Sequence, residues 1–375
     1  MALLIWLSPV SGARTYIVDD DGFSNYKTIQ DAVIAASDGD TIYVKPGNYS
    51  EEVILNKSLS LMPLIGEIGP IILSGQGKET GMTVSSDGCN LEGLTFQGYS
   101  GAAVHLLSRK NRIENNVFED ASPAILASGS EGNSINGNLI MNCQGGVALR
   151  DASENNSIDG NEITSCNISI FLGEADGNSI IENNISDAYW GIWLDNSSQV
   201  QIEGNDIQSR SHGILLLNGS GLYVSDNLVM IDDAGNSTSR ASLLANVSDV
   251  VFQRNKIDGG EIGLAALDCQ NTELLYNNIT QSNNAIYIQD AYGLNINNNS
   301  LIEGDYGIRV DNSSQNSIIG NLARDFVIAL DIGAAEDNRI LKNQFVGITD
   351  AAMHRLATAR SWKTSLPMAS EGSCS

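Results

Sequence analysis

A short motif that recurs about every 22 residues constrains the fold more than any other feature of this chain. One copy reads Asn178-Ser179-Ile180-Ile181-Glu182-Asn183. The second asparagine of each copy, called here the marker asparagine, falls at positions 116, 138, 161, 183, 205, 227, 255, 277, 299, 321 and 343. A repeat of this length is typical of a solenoid, in which stacked units bury what one unit cannot bury alone.

The pattern inside one repeat predicts short β-strands. Apolar residues alternate with polar ones around the marker, as at Val200, Ile202 and Ile207. A small residue and a second apolar run follow, as in Gly191-Ile192-Trp193-Leu194. Alternation over three to five residues, separated by Asn, Gly, Asp and Ser, indicates strands joined by tight turns. Two or three such strands per 22 residues predict an all-β, single-stranded parallel β-helix with coils about 4.8 Å apart.

The marker asparagines are predicted to form a ladder. In a stack of coils each marker lies above the previous one, so their amides can hydrogen-bond along the stack. Asparagine also tolerates the left-handed backbone that a coil corner requires. These asparagines are therefore assigned to architecture rather than to a row of ligands.

The two ends of the chain depart from the repeat. Residues 1–14 contain a short apolar run without a basic segment before it, which resembles a clipped signal-like leader. The segment from Thr28 to Ala36 has apolar residues at helical spacing and predicts a short helix that covers the open end of the stack. The β-helix domain is predicted to span residues 15–348, and residues 349–375 to form a basic, non-repeating tail.

The N-terminal region carries a specific resemblance to a known family. Tyr16-Ile17-Val18-Asp19-Asp20-Asp21-Gly22, Tyr26-Lys27-Thr28-Ile29-Gln30-Asp31-Ala32-Val33 and Val44-Lys45-Pro46-Gly47-Asn48-Tyr49 resemble the opening of pectin-lyase-like proteins. More narrowly, the chain is similar to the NosD-type carbohydrate-binding and sugar-hydrolase (CASH) repeat proteins of archaeal and bacterial surfaces. The resemblance implies a right-handed parallel β-helix over roughly residues 15–346. That superfamily includes lyases, hydrolases, epimerases and non-enzymatic surface proteins, so the fold does not select an activity.

Charge and hydropathy exclude several partners. The net charge of −25 and the pI near 4.2 argue against nucleic acid and against an anionic membrane as partners. No segment has 18 consecutive apolar residues, so no membrane span is predicted. About a dozen Asn-x-Ser/Thr sequons are typical of an exported glycoprotein. We expect a secreted or cell-surface monomer.

One set of candidate site residues closes the second strand of successive repeats. Its members are acidic or amide side chains at similar offsets: Asp151, Glu174, Asp195, Asn218, Asp268, Asp290 and Asp311. Along one edge of a β-helix they could bind Ca²⁺ or sugar hydroxyls. They equally suit turns, in which they accept hydrogen bonds from backbone N–H groups. Both interpretations stay open; no cofactor is predicted, and Ca²⁺ is the metal ion that this pattern allows.

The longest repeat supplies a second candidate. The step from Asn227 to Asn255 is six residues longer than its neighbours, and the excess lies between Met230 and Ser242. This polar segment includes Asp232 and Asp233. A loop that interrupts a coil can build the wall of a groove, or it can be a tolerated surface insertion.

Aromatic residues supply the third candidate. If Ile192 and Leu194 point into the core, strand alternation points Trp193 outward, and Tyr287 between Ile286 and Ile288 does the same. Exposed aromatic rings suit stacking on sugar rings. The repeats that hold Trp193, Tyr287 and Tyr306 also hold Asp195, Asp290 and Asp311. Trp193, Tyr287 and these three acids are predicted to bind a glycan.

No complete set of catalytic residues is present in the sequence. Ser211-His212-Gly213 is similar to a Gly-His-Gly-type motif of polygalacturonases, but the acids of that family are missing from the two preceding coils. His212 is therefore kept only as a candidate binding residue. The arginines that a lyase would use as base, among them Arg150 and Arg309, are scattered in coil offset.

The NosD resemblance also implies copper delivery, which requires soft ligands. The three histidines are far apart in sequence and the methionines do not cluster, so this role is not carried over. The sequence favours a structural or carbohydrate-binding module whose partner is a polysaccharide or surface glycan. The alternative is a polysaccharide lyase or glycoside hydrolase acting on an acidic surface glycan.

Overall fold

The computed structural model describes residues 12–232, 238–334 and 336–354. It confirms the predicted all-β, right-handed parallel β-helix, with about 15 turns of roughly 22 residues each. Each turn contributes strands to three faces, and the strand pairs are parallel. The pair formed by Asn184–Asp195 and Asp206–Leu217 has a register shift around Ala188. The inward side chains of all faces form one continuous apolar core.

The first face is a sheet of 15 strands that carries the residues just before each marker asparagine. Its strands are Thr15–Val18, Thr41–Val44, Ser60–Pro63, Asn90–Glu92, Arg112–Glu114, Ser134–Asn136, Ser157–Asp159, Ser179–Ile181, Gln201–Glu203, Tyr223–Ser225, Val251–Gln253, Glu273–Leu275, Asn295–Asn297, Ser317–Ile319 and Arg339–Leu341. In the three-residue strands the central residue is buried and its neighbours point outward, except in Tyr223–Ser225, where Ser225 is buried as well. This is the alternation expected of a sheet with one face in the core.

The second face follows each marker, and the third face follows the small residue. Strands of the second face alone are Gly47–Tyr49, Ile71–Ser74, Thr95–Gln97, Val117–Glu119, Leu139–Met141, Glu162–Thr164, Leu228–Ile231, Lys256–Asp258, Asn278–Thr280 and Gln344–Val346. Strands of the third face alone are Val53–Leu55, Met82–Val84, Val104–Leu106, Ile125–Ser128, Gly145–Arg150, Ile168–Gly173, Arg240–Ala245, Ile262–Leu267, Asn284–Gln289 and Ala351–His354. Four longer strands bend through both faces and join them into one 24-stranded sheet: Asn184–Asp195, Asp206–Leu217, Ser300–Asp311 and Leu322–Gly333.

The marker asparagines form the predicted ladder at the corner between the first and second faces. Each is almost completely buried. The Oδ1 atom of Asn183 accepts hydrogen bonds from the backbone N–H and the Nδ2 of Asn161, at 3.0 and 2.9 Å. The Nδ2 of Asn183 donates to the Ile158 carbonyl at 2.9 Å and to Oδ1 of Asn205 at 3.0 Å. The ladder therefore satisfies polar groups that the corner would otherwise leave buried without partners.

The prediction that the marker asparagines adopt the left-handed backbone conformation is wrong. The left-handed conformation belongs to the residue before each marker, such as Glu182 with φ 51° or Gly204 with φ 67°, and to no marker asparagine in the described chain. The marker amide is thus selected for its hydrogen bonds and not for its backbone freedom.

A second, shorter ladder was not predicted. Asn111, Asn133, Asn156 and Asn178 are buried and pass hydrogen bonds in the same manner, with Asn133 Nδ2 donating to Asn156 Oδ1 at 2.9 Å. On the next coil the equivalent position is Val200, so the ladder ends there. The apolar replacement shows that this corner tolerates residues that make no hydrogen bonds.

The small residue of each repeat is required by the corner between the second and third faces. On successive coils this position is Gly146, Ser169, Gly191, Gly213, Ala241, Gly263, Ala285, Gly307 and Ala329. A Cβ atom on Gly191 would lie 2.5 Å from the Gly213 carbonyl oxygen and 2.6 Å from Cγ2 of Ile207. The corner has no room there for a branched side chain.

We expect the substitution Gly191→Val to lower the free energy of unfolding by about 2 kcal/mol, because the added methyl groups must displace backbone of the next coil. Denaturant midpoints of the variant and the wild type measure this effect. Gly160→Val, at a corner where a Cβ meets nothing within 4 Å but φ is +60°, separates backbone strain from the steric clash. Equal midpoints for Gly191→Val and the wild type would contradict the close packing of this corner.

The predicted N-terminal helix is present from Ile29 to Ala35. Thr28 caps it by accepting a hydrogen bond from the Asp31 backbone N–H at 3.1 Å. At its other end Lys57 Nζ donates to three backbone carbonyls of residues 33, 34 and 36. The helix buries Ile29, Ala32 and Val33 against the first coil, so it covers the open end of the core.

At the other end, one more strand lies beyond residue 348, the predicted boundary of the β-helix domain. The strand Ala351–His354 continues the third face, pairing with Leu322–Gly333 so that Ala351 lies beside Ile328 and Met353 beside Leu330. Residues 355–375 lie outside the described chain. The stack thus includes residues that were assigned to the non-repeating tail.

The free energy of unfolding of a chain that ends at Asp350 is expected to be about 2 kcal/mol lower than that of one that ends at His354. Without the last strand, Ile328 and Leu330 become exposed to solvent. The two truncated chains differ only in the last strand, so their denaturant midpoints isolate its contribution. Identical midpoints would show that the strand adds nothing to the stack.

Candidate functional site

Strand register brings the outward residues of the third face into rows along the solenoid. One row contains Trp193 and consists, coil by coil, of His105, Leu126, Ala148, Phe171, Trp193, Leu215, Leu243, Ala265, Tyr287, Arg309, Asp331 and His354. Trp193 and Tyr287 are thus in one row, and both point outward, as strand alternation predicted. They are four coils apart, roughly 19 Å at about 4.8 Å per coil, so they belong to two separate clusters.

The first cluster lines a cleft of about 550 Å³ on the third face. Gly145 has no side chain and Ala148 has only a methyl group, while the rings of Phe171 and Trp193 lie on the two following coils. We call this site the aromatic cleft; it is lined by Ser122, Pro123, Leu126, Gln144, Gly145, Val147, Ala148, Arg150, Asn167, Ile168, Phe171 and Trp193. A concave, mostly apolar site with few polar groups is typical of ligand binding.

The aromatic rings at the end of the cleft pack edge to face. Trp193 lies 5.0 Å from Phe171 and 4.9 Å from Trp190 between ring centroids, at interplanar angles of 70° and 89°. Ile192 and Leu194 are fully buried and Trp193 is half-buried, so the predicted parity is confirmed. The indole Nε1 atoms of Trp190 and Trp193 are buried and have no hydrogen-bond partner. The rings are held by their packing against one another, and both tryptophans keep part of their surface accessible.

His212 lies on the coil after Trp190, with which it pairs in register. Its ring is 6.3 Å from that of Trp190, and its Nδ1 is 2.8 Å from the Ser211 hydroxyl. Burial, with a smaller contribution from the nearby positive charge of Arg240, lowers the pKa of His212 to about 4. The imidazole is therefore neutral near pH 7 and borders the aromatic cluster as an uncharged polar group.

The second cluster, called the tyrosine cluster, lies near the C-terminal end and consists of Tyr287, Tyr306, Arg309, Asp331 and His354. The guanidinium of Arg309 is 5.4 Å from the ring centroids of both tyrosines. Asp331 is buried between Arg309 Nε at 3.8 Å and His354 Nδ1 at 3.2 Å. The Tyr287 hydroxyl donates to Gln289 at 2.8 Å. This cluster is an interconnected network of charges and rings.

The acidic edge residues divide into two positions. Five of them take the left-handed conformation at the corner after the third face: Asp151, Glu174, Asn218, Asp268 and Asp290. Asp195 and Asp311 lie one residue earlier, at the end of the strand. Asp195 accepts a hydrogen bond from Asn218 Nδ2 at 2.8 Å, and Asp311 accepts one from Arg309 Nε at 3.1 Å. The left-handed positions favour the turn interpretation for the first five.

Asp290 shows the same preference for local contacts. Its carboxylate accepts hydrogen bonds from Asn312 and from Gln289 Nε2, the latter at 2.9 Å. The Asn312 hydrogen bond is the main reason that the pKa of Asp290 lies below its usual value. Asp290 is thus bound to the neighbouring corner rather than directed at the aromatic cleft.

The loop candidate is only partly described. Asp232 is exposed, and its backbone N–H donates to the Ser209 carbonyl at 3.0 Å. Asp233 lies outside the described residues.

Metal-binding groups are sparse in the described chain. Among the described residues, the one group of three possible ligands close enough to share an ion is Asp19, Asp20 and Asp21, where Asp19 already pairs with Lys45 at 3.0 Å. It lies at the N-terminal end, many coils from the aromatic cleft. Within the described ranges, Asp195, Asp290 and Asp311 do not form such a group with other ligands.

The described histidines do not fit a copper site. His212 is five coils from His105 and six from His354, roughly 24 Å or more at about 4.8 Å per coil. The four described cysteines are buried free thiols, at positions 89, 143, 166 and 269. Copper needs several soft ligands together, and the described residues do not supply such a set.

Three important residues in and beside the aromatic cleft were not among the predicted site residues. Phe171 and Arg150 line the cleft, with the Arg150 guanidinium 5.0 Å from the Phe171 ring centroid, and Trp190 packs against Trp193. The signal for Phe171 was its spacing of 22 residues before Trp193, equal to one coil. Counting outward residues coil by coil would have found it.

Solved structures share the fold. A double mutant of the tailspike protein of E. coli bacteriophage HK620, in complex with a pentasaccharide, has a TM-score of 0.62 at 10% identity over 87% of this chain and 73% of that chain. Bacteriophage CBA120 tailspike protein 3 gives 0.57 at 12% identity, over 88% and 61%. A double mutant of the periplasmic alginate epimerase AlgG gives 0.50 at 13% identity, over 80% of each chain. At these identities the likeness establishes the fold alone.

Sequence comparisons identify relatives. A probable pectinesterase/pectinesterase inhibitor 17 of Arabidopsis thaliana is 35% identical over 98 residues, which are 23% of this chain and 19% of that protein. The chain therefore spans about a fifth of that curated relative. None of the described helices is long and apolar enough to cross a membrane. Residues 170–323 and 233–360 match the right handed beta helix region. Residues 33–230, more than half of the 375, match the NosD family, and the chain therefore belongs to the family described as periplasmic copper-binding protein (NosD).

Proposed function

We propose that this protein is a secreted or cell-surface β-helix module that binds a polysaccharide in the aromatic cleft. The observation that carries the proposal is the pair of half-buried rings, Phe171 and Trp193, fixed beside a floor of small residues. Apolar faces of sugar rings stack on such aromatic surfaces, and a rigid surface loses little entropy when it binds.

The surroundings of the cleft combine an apolar row with polar groups. The row continues from Trp193 through Leu215, Leu243 and Ala265, of which Leu215 and Ala265 are buried and Leu243 is half-buried. Neutral His212 and the amides of Gln144 and Asn167 supply polar contacts for hydroxyl groups. All these residues come from one chain, so the proposed site needs no second subunit.

The alternative activity, cleavage of a glycan, finds less support in the described chain. Glycoside hydrolysis requires two carboxyl groups that flank the scissile bond. Asp311 and Asp331 both contact Arg309 Nε, at 3.1 and 3.8 Å, and Asp331 is 1% exposed. A buried carboxylate held in an ion pair cannot reach a substrate. This geometry favours binding over hydrolysis.

A glycan array, run with and without Ca²⁺ and read for both binding and chain shortening, tests the proposal. We expect retention of at least one polysaccharide without a change in its length. Binding should not require Ca²⁺, because the cleft lining contains no carboxylate. Chain shortening would support the enzymatic alternative, and failure to bind any glycan would refute the proposal.

A further inference from the structure

Arg150 is the one charged residue that lines the aromatic cleft. It lies at the end of the strand Gly145–Arg150, and its side chain is exposed. Its guanidinium lies 5.0 Å from the centroid of Phe171, the ring that stands beside Trp193. Stacking on an aromatic face holds the planar guanidinium in place while its edge keeps its hydrogen-bond donors.

Arg150 is one of the described arginines that have no acidic partner, although the chain as a whole is strongly acidic. Among the described residues five arginines lie within 4.0 Å of a carboxylate: Arg109, Arg112, Arg210, Arg254 and Arg309. No described carboxylate lies that close to Arg150 or to Arg240, which faces outward on the same side beside His212. Arg14, Arg324 and Arg339 also lack such a partner, but they lie just before the first strand, on the second face and on the first face.

We propose that the aromatic cleft selects an anionic polysaccharide, with Arg150 binding a carboxylate or sulfate group while Phe171 and Trp193 stack on the sugar rings. This inference rests on the proposed function and adds the class of ligand. The shared chemistry is a planar or tetrahedral oxyanion, which the forked donors of a guanidinium bind in bidentate fashion. Arg240, two coils beyond Trp190, offers a second cation to a polymer with repeated charges.

The net charge of −25 does not prevent this binding. At physiological ionic strength the Debye length is about 8 Å, so charges on distant coils and on the other two faces are largely screened. Inside a partly apolar cleft the effective dielectric constant is lower than in water, and a single nearby cation acts more strongly. The local charge of the cleft lining is therefore more important than the total charge.

The test measures the binding of two matched pairs of polymers to the wild-type chain by isothermal titration calorimetry. The pairs are polygalacturonate with its methyl ester, for carboxylates, and dextran sulfate with dextran, for sulfates. We expect the charged member of at least one pair to bind about tenfold more tightly than the neutral member. The pair that shows the preference identifies the anion, and the preference should weaken as salt is raised.

Two variants with the same change in charge then locate the effect. Arg150→Ala is expected to remove the preference, while Arg339→Ala, an exposed arginine on the first face, should retain it. Equal binding of charged and neutral members, or an equal loss in both variants, would overturn the inference and leave the proposed function standing if Trp193→Ala still weakens binding. If no member of either pair and no array glycan binds, both proposals fail.

Discussion

Asn183→Leu is expected to lower the free energy of unfolding by about 3 to 4 kcal/mol. The leucine removes Oδ1, the acceptor of two hydrogen bonds from Asn161, and Nδ2, which serves the Ile158 and Ile181 carbonyls. All these groups are buried in the corner, and each unsatisfied one costs about 1 to 3 kcal/mol, reduced where a second partner remains. Urea denaturation followed by circular dichroism measures the change.

The matched control is Asn184→Leu, the same substitution one residue further along the strand. Asn184 points outward, is exposed and has ordinary strand backbone, so the expected change is within about 0.5 kcal/mol. Asn196 is a poorer control because its φ of 51° penalises leucine by itself. Similar denaturation midpoints for the variants at 183 and 184 would contradict the contribution of the ladder to stability.

Trp193→Ala is expected to weaken binding of the array-selected polysaccharide by about tenfold or more, because a central aromatic contact is lost. The affinity is measured by calorimetry, and by quenching of tryptophan fluorescence in the wild type. Trp193 also packs against Phe171 and Trp190, so the alanine variant should lose about 1 kcal/mol of stability. Affinity is therefore compared under conditions in which both proteins are fully folded.

Two further variants separate stacking from general effects. Trp193→Phe keeps an aromatic ring and should retain most of the affinity. Tyr276→Ala removes a ring that is 59% exposed beside the marker Asn277, outside the cleft lining, and should leave binding unchanged. Full affinity in Trp193→Ala would exclude the aromatic cleft and direct attention to the tyrosine cluster.

The architecture could be predicted from the sequence because it depends on local rules repeated many times. The alternation around Ile180 and Ile185, the small residue at Gly191 and the marker Asn183 each have one physical requirement, and every coil repeats it. The N-terminal helix was also predictable, since Thr28 and the apolar spacing after it form a local signal. The last strand, Ala351–His354, was missed because it lies outside the marker pattern and is too short to show a period.

The candidate site was only partly predictable because its residues meet across coils. The outward direction of Trp193 was predicted from the expected burial of Ile192 and Leu194, and both of these residues are buried. Whether Tyr287 joins it depends on the number of coils between them, which separates the two rings by roughly 19 Å at about 4.8 Å per coil. Arg150 precedes Trp193 by 43 residues, and its guanidinium contacts Phe171 on the intervening coil. No local pattern encodes that contact.

The central claim is that a polysaccharide binds at the aromatic cleft, and the position of a bound ligand tests it most directly. A crystal structure of residues 12–354 with an oligosaccharide from the array would supply that position. The proposal predicts a sugar ring stacked on Trp193 or Phe171, within about 4 to 5 Å of the aromatic plane, above Gly145 and Ala148. A ligand bound elsewhere, with this cleft holding only solvent at saturating concentration, would contradict it.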